Sequence, residues 1–172
     1  MLKGIICGKG GQGVITINYL LGRLASELGY RVMSAETHGM AMRGGSVATL
    51  IKIGDFSSPS IGTGEADFIL SIDMDEALRN FEYLKAGGFC IINSTQDCTF
   101  PDGYRIIRTH ASRTSQDAFG STRYTGQILL GQVMGAYSRV FPETASLEIL
   151  SNFEKVETGA VRAGMNSVAH IN

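Results

Sequence analysis

The junction from Gly8 to Gly13 constrains the fold most tightly. An apolar run from Leu2 to Cys7 breaks on Gly8-Lys9-Gly10-Gly11-Gln12-Gly13. Val14, Ile17, Leu21, Leu24, Ala25 and Leu28 then recur at the spacing of one helix face. The pattern reads as strand, glycine turn and helix. Gly29 ends the helix as a C-cap does, and Arg31 to Glu36 returns as a second strand. A βαβ unit of this kind predicts parallel pairing of its two strands and a right-handed crossover.

The remainder continues the α/β pattern. Ser46 to Ile53 alternates as a half-buried strand does, and Asp55 to Glu65, with Pro59, Gly62 and Gly64, is loop. Asp67 to Ile72 is a nearly unbroken apolar run, and Asp73 caps a helix predicted over Met74 to Leu84. Strands are expected at Phe89 to Asn93 and at Tyr104 to Arg108, the latter after the Pro101-Asp102-Gly103 turn. A long helix from Tyr124 to Phe141, stopped by Pro142, precedes shorter ones at Ala145 to Phe153 and Ala160 to Ile171. The expected fold is a three-layer α/β/α sandwich with a mixed, mainly parallel, Rossmann-like sheet. With 172 residues and no linker-like tract, residues 1–172 read as a single domain.

Charge and cysteine usage exclude several classes. The formal net charge is -1 and no block of like charges occurs, so neither nucleic acid nor membrane is an expected partner. No signal-like segment follows Met1 and no run is long enough to span a bilayer, so the expected location is cytoplasmic. Cys7, Cys90 and Cys98 form no C-x-x-C pair, and His38, His110 and His170 share no ligand spacing with them. No metal ligand set and no catalytic nucleophile–base pair is legible. Cys7 and Cys90, within apolar runs, read as small buried hydrophobes.

Gly8, Gly10 and Gly13 make a G-x-G-x-x-G placed directly after a strand and opening a helix, the context that gives this motif meaning. Glycines allow positive φ and close approach, and the unpaired amides of a helix start attract an anion. Lys9 lies inside the glycine run and no Gly-Lys-Ser/Thr follows, so this is not a nucleotide-hydrolysing loop. A dinucleotide site stays open, because Glu36 ends the second strand, where an acid meets a ribose hydroxyl.

A second loop follows that strand: His38-Gly39-Met40-Ala41-Met42-Arg43-Gly44-Gly45-Ser46. It starts on the same sheet edge as the glycine loop, so the two are expected to face one crevice. His38 and Arg43, the paired glycines and the Ser46 hydroxyl can present donors to phosphate or carboxylate.

Together the two segments resemble the gamma-type domain of the 2-oxoacid:ferredoxin oxidoreductases. Within that family Glu36-Thr37-His38-Gly39 is most similar to the smaller, beta-type subunit of the indolepyruvate branch. The likeness extends through Asp67 to Asn93 and the helix around Leu129-Leu130-Gly131. Thr125-Gly126-Gln127 departs from the pattern, which has an asparagine early in that helix.

The resemblance implies an accessory subunit of an enzyme that oxidatively decarboxylates a 2-oxoacid with coenzyme A. The products are acyl-CoA, carbon dioxide and reduced ferredoxin. It implies that thiamine diphosphate and iron–sulfur clusters reside on a larger partner, and that this chain holds no cofactor tightly. Gly8, Lys9, Gly10, Gly11, Gln12, Gly13, His38, Gly39, Met40, Arg43, Gly44, Gly45 and Ser46 are then candidates for contacting coenzyme A phosphates, or for shaping its entrance. Two other classes stand beside this one: a stand-alone NAD(P)- or flavin-binding reductase, and a non-catalytic interaction module.

Overall fold

A computed structural model describes residues 1–38, 44–96 and 98–168. The strands are β1 (Leu2–Lys9), β2 (Val32–His38), β3 (Ser46–Ile53), β4 (Ala66–Ser71), β5 (Leu84–Asn93) and β6 (Arg105–Thr109). The helices are α1 (Val14–Glu27), α2 (Met74–Asn80), α3 (Ala111–Phe119), α4 (Thr125–Ala136), α5 (Glu143–Ser151) and α6 (Thr158–Val168).

The strands form one sheet in the order β2-β3-β1-β4-β5-β6. Pairings β1–β4, β4–β5 and β5–β6 are parallel, whereas β3 runs antiparallel to both β1 and β2. The mixed, mainly parallel sheet is as expected. The direct pairing of the first two strands is not: β3 lies between them, with Leu2 opposite Ile53 on one side and Val32 opposite Ile53 on the other. Strand β3 runs antiparallel along the full length of β1 and pairs with β2 on its other side, so it occupies the position a βαβ crossover leaves to β2.

Side-chain alternation divides the core between two faces. Ile6, Ile51, Phe68, Leu70 and Ile91 meet α1, α4, α5 and α6, while Ile5, Cys7, Ile69, Cys90 and Ile92 meet α2 and its flanking loops. Three layers result, the second helical layer much the thinner. Each fully buried Ile or Leu contributes about 1.5–3 kcal/mol.

Local chemistry explains the boundaries. Gly29 ends α1 with φ 87°, its N–H bonding Ser26 O while Tyr30 N–H bonds Ala25 O, the paired bonds of a Schellman cap. The Asp73 carboxylate caps α2, accepting from the amides of Asp75 and Glu76. That helix ends at Asn80 rather than Leu84, because Phe81 to Tyr83 tighten into a 3-10 turn and Leu84 already begins β5. Phe81 thereby packs on Phe100 and Tyr104, at 5.1 and 4.8 Å between ring centroids.

Helix α4 stops at Ala136, short of Phe141. Tyr137 turns inward, donates its hydroxyl to Asp67 O at 2.8 Å and packs against Phe68 and Phe89. Pro142 instead precedes α5, its carbonyl accepting the Ser146 amide. Helix α3 was not legible in the sequence, because its buried positions, Ala111 and Ser115, carry little apolar signal. Helices α4 and α6 cross at Gly131 and Gly164, where a Cβ would stand 1.9 Å from Val161 O and 2.0 Å from Ile128 O respectively.

Candidate functional site at the glycine loop

The glycine loop leaves β1 at the carboxyl edge of the parallel half of the sheet, where open α/β sheets bind ligands. Gly11 and Gly13 take φ of 93° and 89°, left-handed values that strain any residue with a Cβ. At Gly8 a Cβ would come within 2.8 Å of Gln12 Oε1 and 3.0 Å of Val14 Cγ2.

The loop satisfies part of its own backbone. The Lys9 amide donates to Gln12 Oε1 at 2.6 Å, Gln12 N to Lys9 O at 3.1 Å, and Gly10 N to Gly45 O at 2.9 Å. The first helical bond of α1 runs from Ile17 N to Gly13 O. Among the described residues, the amides of Gly11, Gly13, Val14, Ile15 and Thr16 have no acceptor. The positive end of α1 and these donors make a seat suited to an anion. It lies at the helix start, while the amides of Lys9, Gly10 and Gln12 hold the loop's shape.

The second loop meets the first: Gly44 N lies 3.3 Å from where a Gly10 Cβ would stand, and Gly45 O takes the Gly10 amide. Ser46 begins β3 opposite Lys9, and its hydroxyl donates to Glu76 Oε2 at 2.5 Å. His38 closes β2 opposite Val47. Its side chain, with Gly39, Met40 and Arg43, lies outside the described residues. Lys9 directs its ammonium to Asp73 at 2.8 Å and Asp75 at 3.7 Å. The Asp73 hydrogen bond, chiefly, holds the Lys9 ammonium above the usual lysine range.

Glu36 pairs in register with Thr49 of β3, and β3 separates it from β1. Two strand spacings, roughly 10 Å, thus part it from the glycine turn. The acid of a dinucleotide fold ends the strand next to the first, so this topology argues against a dinucleotide site.

The sequence did not reveal the cleft beside the seat. About 630 Å3 in volume, it is bounded by Gly11, Gly13 and Thr16 on one side and by Thr122, Arg123 and Thr125 on the other. Lys155 reaches its outer rim. Lys155 is the one non-glycine with positive φ, 62°, among the described residues. Gln127 secures it: Nε2 donates to Lys155 O at 2.9 Å and Oε1 accepts the Glu157 amide at 2.7 Å. The available signal was Thr125-Gly126-Gln127: Gly126 lets α4 lie against Ile17 of α1, a Cβ there falling 3.1 Å from Ile17 Cγ1.

Cys7 and Cys90 are buried, as their apolar runs predicted. Desolvation pushes the Cys7 thiol up to about 12, so it stays protonated and poorly suited to metal or cluster binding. Among the described residues no three His, Cys, Asp or Glu side chains converge as a metal site requires, and no helix is long and apolar enough to cross a membrane.

Comparison with known proteins agrees with this fold. The sequence profile described as pyruvate ferredoxin/flavodoxin oxidoreductase matches residues 4–167. Indolepyruvate oxidoreductase subunit IorB of Archaeoglobus fulgidus is 32% identical over 160 residues, 81% of this chain and 79% of that protein. The IorB of Pyrococcus horikoshii is 44% identical over 91 residues, 52% of this chain and 45% of that protein, so this match spans less than half of the relative. The keto/oxoacid ferredoxin oxidoreductase gamma subunit of Geobacter sulfurreducens has the same fold, with a TM-score of 0.81 at 21% identity over all of both chains. A 2-oxoglutarate:ferredoxin oxidoreductase of Magnetococcus marinus, with 2-oxoglutarate, coenzyme A and succinyl-CoA bound, contains the fold in 31% of its chain, with a TM-score of 0.79 over 99% of this one. The chain belongs to the pyruvate ferredoxin/flavodoxin oxidoreductase family.

Proposed function

We propose that this chain is the accessory subunit of a cytoplasmic, coenzyme A-dependent 2-oxoacid:ferredoxin oxidoreductase, with indolepyruvate or a related arylpyruvate as substrate. The indolepyruvate assignment rests on the likeness to IorB proteins. A larger partner subunit carries the thiamine diphosphate and the iron–sulfur clusters, which supply decarboxylation and electron transfer to ferredoxin. This chain contributes no reacting group; its part is to receive coenzyme A and hold it for acyl transfer.

One observation carries the reading: unpaired amides at Gly11, Gly13 and the first turn of α1 open onto the cleft at the carboxyl edge of the sheet. A phosphate there gains charge-favoured hydrogen bonds without competing with the loop's own structure. The coenzyme A present in the Magnetococcus structure supports the choice of ligand. Calorimetric titration of the assembled two-subunit complex with coenzyme A tests it. A Gly11→Ala, Gly13→Ala variant keeps its amides but strains the positive φ that aims them, and is expected to bind at least about tenfold more weakly, as if one charged hydrogen bond were lost. Unchanged affinity in a correctly assembled variant removes the phosphate role.

A second reading is favoured by Ile15 and Tyr19, 46% and 57% exposed, one turn apart on α1 next to the loop. There the loop's glycines let the partner subunit approach closely. Ile15→Ser, whose side chain lies outside the cleft, then weakens assembly while leaving the coenzyme A affinity of the assembled complex intact.

A further inference from the structure

The cleft between α1 and α4 does not end at the glycine loop. A second cleft, of about 410 Å3, opens beyond β5 and β6, and the two share Ile72, Asn93 and Ser112 as a common floor. They form one groove across the carboxyl ends of β4 and β5 and the start of α3.

The two halves differ in charge. The α1–α4 half presents Arg123 and Lys155, both exposed, against the single carboxylate of Glu154. Arg123 is held rather than free: its guanidinium stacks 4.5 Å from the Tyr124 ring centroid and donates to the Tyr124 hydroxyl. Lys155 is held by the Gln127 bonds in a conformation that costs a non-glycine residue about 1–2 kcal/mol. The β5–β6 half carries no excess positive charge. Its charges pair among themselves or with neighbours, Lys9 with Asp73 and Asp75, and Arg113 with Asp117 at 3.5 Å. Amides and hydroxyls remain, Asn93, Thr95 and Gln96 among them. Asn93 is fixed, with Nδ2 donating to Ser112 Oγ at 3.1 Å and Oδ1 accepting the Ser112 amide at 3.3 Å.

We propose that this groove takes one extended ligand with a polyanionic head in the α1–α4 half and an uncharged, amide-bearing arm in the β5–β6 half. The proposal rests on the coenzyme A reading above and sets the direction in which that molecule lies. Its phosphates face Arg123 and Lys155, and its pantetheine arm runs over Asn93 toward Thr95. The reverse direction would set phosphates against Asp73 and Asp75, whose two charges the single Lys9 ammonium offsets only in part, and leave two cations facing a neutral arm.

Calorimetry on the assembled complex with coenzyme A, adenosine 3′,5′-bisphosphate and pantetheine tests this. Arg123→Ala and Lys155→Gly are each expected to weaken coenzyme A and the bisphosphate alike, by about tenfold or more. Lys155→Gly also relieves the backbone strain, so weaker binding with an unchanged urea midpoint is assigned to the missing ammonium. Asn93→Ala, with Thr95→Ala as a second variant on the exposed surface, is expected to weaken coenzyme A and pantetheine several-fold and to spare the bisphosphate. If wild type binds coenzyme A and neither cation variant alters bisphosphate affinity, the groove assignment is overturned and the coenzyme A reading stands. If the bisphosphate responds to Asn93→Ala and Thr95→Ala but not to Arg123→Ala, the direction is overturned. If the wild-type complex binds no coenzyme A, both fall together.

Discussion

The Glu76 carboxylate, 2% exposed, accepts the Ser46 hydroxyl at 2.5 Å and so ties the first turn of α2 to the start of β3. Asp73 and Glu76 occupy the N-cap and N3 positions of a capping box, in which Glu76 would reach back to the Asp73 amide. Ser71 Oγ faces that amide instead, at 3.3 Å, and leaves Glu76 to Ser46. Gly45 beside Ser46 then takes the Gly10 amide. Helix α2 thus fixes the glycine loop through the second loop.

Ser46→Ala leaves a buried carboxylate oxygen without its hydrogen bond and is expected to cost about 1–3 kcal/mol. Glu76→Gln, whose amide oxygen still accepts, is expected to cost less than Glu76→Ala. Urea denaturation measures the stabilities, and hydrogen exchange of the Gly10 amide reports the coupling. Equal exchange of Gly10 in wild type and Ser46→Ala would show that the loop holds itself.

Gly11→Ala and Gly13→Ala introduce no clash, since nothing lies within 4 Å of either Cβ. Their positive φ alone is expected to cost about 1–2 kcal/mol each. Gly131→Ala is different in kind: its Cβ would stand 1.9 Å from Val161 O, so α4 and α6 must part. A loss of about 3 kcal/mol or more follows. Urea midpoints should rank the three variants in that order, and a mild Gly131→Ala would mean that the helices are not in close contact.

Stability should fall in alkali. Burial raises Cys7 to about 12, and burial likewise raises Cys90 and Tyr137 above their ordinary values. For each group the unfolded chain loses its proton first, so the stabilisation is complete below the unfolded pKa and declines above it. Each contributes a fall of about 1.4 kcal/mol per pH unit, for Cys7 between pH values of about 9 and 12. Denaturation at a series of pH values checks this; Cys7→Ala should flatten the slope above a pH of about 9, and an unchanged slope would contradict the assignment.

Thiol labelling gives a simpler check on the same burial. Cys98 is partly exposed, whereas Cys7 and Cys90 are buried. Under native conditions only Cys98 should react quickly, and all three should react in denaturant. Rapid native labelling of Cys7 would contradict the packing of its thiol against Glu76 O at 3.5 Å.

Local pattern sufficed for the glycine turn, α1 with its Gly29 cap, β3 from Ser46 to Ile53 and the Asp73 cap, because each is dictated by neighbouring residues in the chain. The resemblance of the two loops to one enzyme family was likewise legible in contiguous residues, and residues 4–167 match that family. Insertion of β3 between β1 and β2 was not legible, since strand order depends on which edges meet, and alternation along a strand looks the same in either order. Helix α3 escaped because small buried residues leave no apolar period. The groove was hidden for a related reason: Gly13, Asn93, Arg123 and Lys155 stand far apart in sequence and share no spacing rule. Only packing of α4 on α1, through the missing side chain of Gly126, and the Gln127 clasp on Lys155 bring them to one edge of the sheet.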